Sequence, residues 1–98
     1  MLDIGTIDRI ATKAAAAALK RNGIARVSVA PKVAWDGADA LEVTIVLRGK
    51  GDAVSGEEVV DAMVSIGVDL EQAGEDRFPF VTFTTEAEEL EFSGDPES

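Results

Sequence analysis

The spacing of apolar residues changes along this 98-residue chain, and the order of the changes limits the folds it can adopt. Near the amino terminus apolar residues recur every three or four positions, which predicts a helix over residues 6–21. Between residues 25 and 47 they alternate with polar residues, as in a strand with one buried face. Apolar residues then return to helical spacing over residues 55–73, and a last short strand pattern follows over residues 78–84. The predicted order is therefore α-β-β-α-β.

The two alternating segments, residues 25–35 and 41–47, are separated by the turn sequence Asp36–Asp39. Asp and Gly favour tight turns, so the segments are expected to form a hairpin. Pro31 lies within the first segment and cannot donate a backbone hydrogen bond. It predicts an edge position, a bulge or a break in that strand.

The second helix is predicted to begin at Ser55, which forms a capping box with Glu58, and to end near Ala73 because Gly74 follows. A third strand is expected over residues 78–84, with Pro79 marking its start or an edge. The expected buried face of the second helix contains Val59, Met63, Ile66, Gly67 and Leu70, with Gly67 allowing close packing.

The expected fold class is α+β, a two-layer sandwich in which two helices cover one face of a three-stranded mixed sheet. The second helix connects the second and third strands, and a right-handed crossover places it over one face. The other face is then open. We expect one domain over residues 1–84, followed by an acidic, partly disordered tail over 85–98 that begins with one helical turn capped by Thr85.

The chain contains no His, Cys or Tyr, which excludes Cys-His and Ser-His-Asp nucleophilic sites and zinc sites built from imidazole or thiolate. We therefore expect no catalytic residues, no metal and no cofactor. No apolar run approaches the roughly 20 residues of a membrane span, and the first residues lack a basic signal-peptide region. A reducing cytoplasm is the expected location.

Charge is distributed unevenly along the sequence. Residues 1–34 hold six bases and two acids, whereas residues 35–98 carry a net charge of −14 within a total of −10. A field of this sign disfavours nonspecific binding to nucleic acid and favours basic partners.

Three short motifs invite a chemical interpretation, but each has a simpler structural one. Asp36 and Asp39 offer oxygen ligands to a cation, yet Asp beside Gly is ordinary in a turn. The acids Glu57, Glu58 and Asp61 begin a helix, where negative charge is stabilising. The segment Gly49–Asp52 lacks the full spacing of a phosphate-binding loop.

Several residues are candidate partner contacts. Arg9, Lys13 and Lys20 form a basic stripe on the first helix, whose simplest interpretation is a solvated face. Trp35 is expected to cap the core, with a surface hot spot as the alternative. The remaining candidates are apolar: Val46, Phe78 and Phe80 on the open sheet face, and Leu90 and Phe92 in the tail.

The leading functional hypothesis is a non-enzymatic acidic interaction module, an adaptor or antitoxin-like inhibitor. Its expected partner is a basic protein or a second copy of the chain, held through the open sheet face and the acidic carboxyl-terminal half. An enzyme using only carboxylates and Lys50 is the third class considered, but no converging set of residues supports it.

The element order over residues 6–84 resembles the type II KH-like arrangement, although no Gly-x-x-Gly loop is present between the helices. This resemblance implies the alternative function, an RNA- or ribosome-associated protein that uses the basic face of the first helix.

Overall fold

A computed structural model describes residues 2–19, 23–52 and 54–93, with side chains described as far as residue 90. Within these ranges the element order is α-β-β-α-β-α. The elements are α1 (Ile4–Leu19), β1 (Ile24–Val33), β2 (Asp39–Leu47), α2 (Gly56–Gln72), β3 (Phe78–Thr85) and α3 (Glu86–Ser93).

The sheet has the order β1-β2-β3. β1 is antiparallel to β2, and β3 is parallel to β2 because α2 carries the chain back to the same end of the sheet. Pro31 of β1 pairs with Leu41 of β2. Because β1 is an edge strand, it has no strand on its other side to which Pro31 would need to donate a hydrogen bond. The predicted mixed sheet and the edge position of Pro31 are confirmed.

The core lies between the sheet and the first two helices. Alternate residues of β2, from Leu41 to Leu47, point toward α1 and α2 and are buried. Small side chains such as Ala11 and Ala15 let α1 approach closely, and α2 contributes Ala62, Ile66 and Leu70. Two helices therefore pack on one face of the sheet, as the sequence predicted.

The helix ends follow local signals. α1 begins two residues earlier than predicted because the Asp3 carboxylate accepts a hydrogen bond from the Thr6 backbone N–H at 3.0 Å. The capping box of Ser55 and Glu58 is present. Gly74 ends α2 with a φ of +99°, a conformation that favours glycine.

The open face is partly covered, which corrects the expectation for Val46. Arg26, Val46 and Thr84 form one row across that face. α3 is longer than the predicted single turn. Its Glu88 carboxylate accepts a hydrogen bond from the Thr84 hydroxyl, and its Glu89 carboxylate forms an ion pair with Arg26. Because α3 bonds to both ends of the row, it lies over Val46, which is fully buried.

Trp35 does not cap the core, and that prediction is wrong. The last four residues of β1 are exposed although Leu41, which pairs with Pro31, is buried, so at this end of the sheet the core covers β2 but not β1. Trp35 follows them in the turn and is 96% exposed. Residues 94–98, for which disorder was expected, lie outside the described residues.

Candidate functional site: an apolar groove between α2 and β3

α2 carries more apolar residues than one face can bury. Ala62, Ile66 and Leu70 point into the core. A second apolar stripe is exposed on the surface of the helix and consists of Val60, Met63, Val64 and Val68. Val60 and Val64 are 57% and 59% exposed, so this stripe is available for contact.

The stripe opens onto a groove of about 770 Å³ between α2 and β3, which we call the α2–β3 groove. Met63, Val64 and Val68 line one wall, and Pro79 and Val81 line the other. The groove exists because α2 packs mainly against α1 and touches β3 at few points. A contiguous exposed apolar surface of this kind is typical of an interaction site.

Gly67 lies on the groove wall and does not serve the close packing that was predicted for it. A Cβ placed there would meet no atom within 4 Å, apart from its own chain neighbours and helix backbone. Met63, also predicted to be buried, is exposed on the same wall. Both corrections have one cause: the buried face of α2 is centred on Ile66 and is narrower than predicted.

The rim of the groove is acidic. Glu71 and Asp76 line it, and α2 as a whole has five acids and no base. Arg77 adds no free positive charge, because its Nε donates to Glu75 Oε2 at 2.8 Å. Cationic groups on a partner would therefore be attracted to this rim.

Glu75 and Arg77 fix the floor of the groove at the end where α2 passes into β3. The Glu75 carboxylate is buried and accepts hydrogen bonds from the Leu2 and Arg77 backbone N–H groups at 2.7 and 2.8 Å. The hydrogen bond from the Arg77 side chain is the main reason that the pKa of Glu75 is lowered to about 2. The pair ties the amino terminus to this loop.

Arg9 and Lys13 lie together on a second groove, between α1 and β1, which has small and aliphatic residues such as Ala16, Ala17 and Val27 in its lining. We call it the α1–β1 groove; its volume is about 830 Å³. Neither cation forms a salt bridge among the described side chains, although the pKa of Asp3 is lowered by hydrogen bonds from Thr6 and, to a smaller extent, by the charge of Arg9. Lys20, the third member of the predicted stripe, lies outside the described residues.

The other candidate contacts are scattered. Phe78 and Phe80 lie on the sheet face opposite α1 and α2, with ring centroids 4.8 Å apart, and the Lys32 ammonium lies 4.9 Å from the centre of the Phe80 ring. Phe78 is 63% exposed and also borders the α2–β3 groove. Leu90 is 72% exposed on α3, and the Phe92 side chain lies outside the described residues.

The short motifs have structural roles. The Asp36 carboxylate accepts from the Ala38 N–H within the hairpin turn, and Glu58 belongs to the capping box. In the Gly49–Asp52 loop the Gly49 N–H donates to Glu86 Oε1 at 2.8 Å, so the loop binds a carboxylate of α3. Among the described residues no three Asp or Glu side chains are grouped as metal ligands.

The groove itself was missed by the sequence prediction, although a signal was present. Residues 59–70 contain apolar side chains on two adjoining helical faces, and a single stripe was assumed. A helix with an apolar surface wider than its packing partner can cover is expected to leave part of it exposed.

No protein-family model matches the chain, and neither the curated proteins nor the solved structures include one that is detectably similar to it. In the described part of the chain, no helix combines the length and apolar character needed to cross a bilayer.

Proposed function

We propose that this chain is a non-enzymatic protein-interaction module that binds a basic protein partner in the α2–β3 groove. The observation that carries the proposal is the exposed second stripe of α2, which lines an apolar groove with an acidic rim. Burying one valine or methionine side chain contributes about 1.5–3 kcal/mol, so covering this stripe would favour association.

Charge favours a basic partner over a second copy. Two copies meeting at their grooves would bring two α2 helices together, each with five acids and no base. Like charges across an interface oppose association, whereas lysine or arginine residues on a partner would be attracted to Glu71 and Asp76. Self-association remains the alternative, and a concentration-dependent mass in sedimentation would reveal it.

An adaptor, or an inhibitor that neutralises a basic protein as an antitoxin does, would use such a surface. The absence of cysteine suits a reducing cytoplasm, which is the location we propose.

The test is to capture partners from the native host with the wild-type chain, a Val64→Lys variant and a Val33→Lys control. Both valines are exposed, so both substitutions are tolerated by the fold, but only Val64 lies on the groove. We expect a basic protein that is retained at low salt by the wild type and the control but not by Val64→Lys. Equal retention by all three chains would contradict the proposal.

Arg9 and Lys13 favour a second candidate, an RNA-binding role for the α1–β1 groove. Removing a cation that neutralises a phosphate should reduce the salt dependence of binding. An Arg9→Gln/Lys13→Gln variant would then bind RNA more weakly and with a shallower salt slope than the wild type. RNA affinity unchanged by the two substitutions would exclude this candidate.

A further inference from the structure

The outer edge of β3 is open beside the α2–β3 groove. β3 pairs with β2 on one side, and no described strand pairs with it on the other. α3 leaves the end of β3 toward Arg26 on β1, so it crosses the opposite sheet face and leaves this edge uncovered. An unpaired edge offers backbone N–H and C=O groups to another chain.

β3 has fewer of the features that usually protect an edge than β1 has. Its sequence, Phe78–Thr85, contains no charge, and its single proline is at the second position. The opposite edge strand is different, because β1 has a register irregularity between Ile24 and Arg26 and two cations, whereas each strand has one proline within its paired length. Bulges and charges on an edge oppose further pairing, so the two edges are not equivalent.

We infer that the partner of the α2–β3 groove is an extended basic segment that adds to β3 as a fourth strand. This rests on the proposed function and specifies how the groove is filled. Side chains of a strand alternate between faces, so every second residue of the added segment would enter the groove and meet Met63, Val64 and Val68.

Charge sets the chemistry of the segment. The acids of the groove rim, Glu71 and Asp76, attract a basic segment, whereas the cations Arg26 and Lys32 on β1 repel one. An acidic segment would be repelled at β3. The added strand therefore combines small or β-branched apolar residues with lysine or arginine.

The experiment uses synthetic peptides as long as β3. The first alternates valine with lysine. The second has the same residues ordered so that the valines recur at helical spacing, and the third replaces the valines of the first with serine. Binding to the full chain is measured together with amide hydrogen exchange along β1 and β3.

We expect the alternating peptide to bind more tightly than the other two and to slow exchange in β3 but not in β1. Thr82→Lys should weaken binding roughly tenfold or more, since it places a cation on the β3 edge. The matched control is Ser28→Lys, because Ser28 is exposed in the same cross-sheet row on the opposite edge. It should leave affinity within about twofold, well below a tenfold change.

Each other result overturns the inference in a different way. Preferred binding of the helix-ordered peptide, with exchange in β3 unchanged, would reject strand addition and leave the proposed function standing. Slowed exchange in β1 would place the added strand at the other edge. Equal binding of the serine peptide, or binding of none of the three, would reject the proposed function as well.

Discussion

Glu75 is the one buried acid among the described residues, and it holds the loop between α2 and β3 in place. Replacing it by glutamine leaves the enclosed Arg77 guanidinium without its counter-charge. Removing one partner of a buried ion pair costs about 3–5 kcal/mol. We therefore expect Glu75→Gln to lower the free energy of unfolding in urea by about 3 kcal/mol. Glu71→Gln, an exposed control, should change it by less than about 0.5 kcal/mol.

The same carboxylate predicts how stability depends on pH. Its pKa is lowered on folding from the ordinary value of 4.5 to about 2, so the folded state favours the ionised form. The resulting stabilisation is complete above about pH 4.5 and is lost as the pH falls toward 2. Unfolding measured across this range should show a clear decline in stability for the wild type and a smaller one for Glu75→Gln. Parallel declines would contradict this assignment.

Gly67 and Gly74 make opposite predictions for substitution by alanine. At Gly67 a methyl group meets open space in the middle of a helix, so Gly67→Ala should stabilise the chain by about 0.5–1 kcal/mol. At Gly74 the backbone has a φ of +99°, so Gly74→Ala should destabilise it. Thermal unfolding of the two variants tests both predictions. A loss of stability in Gly67→Ala would show that the added methyl group meets other atoms and that the groove is not open at residue 67.

At the scale of elements, α3 is held by polar contacts. The Ala87 N–H donates to the Gly49 carbonyl at 3.0 Å, and the Glu89 carboxylate pairs with Arg26. Exposed ion pairs contribute at most about 1 kcal/mol. α3 is therefore expected to open at lower cost than the core helices.

Arg26→Gln should accordingly speed amide exchange across Glu86–Ser93 while changing global stability by less than about 1 kcal/mol. Lys32→Gln removes the same charge from the same strand without touching α3, and it should leave that exchange unchanged. Identical exchange in the wild type and Arg26→Gln would show that other contacts hold α3.

The elements with strong local signals were predicted from the sequence. The periods of α1 and α2 and the alternation in β2 located three of them, and the capping box at Ser55 marked the start of α2. α3 was underpredicted because Glu86–Ser93 has a weak apolar period and depends on contacts with Arg26 and Gly49, which are distant in sequence. Trp35 was misplaced because the sequence alternation of β1 continues through its last four residues, which are exposed.

At the scale of the whole molecule, the candidate site could not be predicted as a site. Its walls come from α2 and β3, and it exists only because α2 packs on α1 and contacts β3 at few points. Sequence indicated an acidic interaction protein but placed its apolar contact surface on the open sheet face and in the tail. The groove is on the helix-covered face, and among the predicted contacts that the structure describes, Phe78 alone borders it.

The distribution of charge agrees with this location. Glu71 and Asp76 line the α2–β3 groove, whereas Arg9 and Lys13 line the α1–β1 groove. A basic ligand is therefore directed to one groove and an anionic ligand to the other, so the two candidate functions predict different contact surfaces.

The most direct test of the central claim is to titrate the isotopically labelled chain with the alternating valine–lysine peptide and map the backbone amide shifts by NMR. Binding in the α2–β3 groove predicts that the largest shifts lie in residues 60–71 and 78–83. Shifts concentrated in residues 9–17 and 24–27, or spread evenly over all acidic segments, would contradict it.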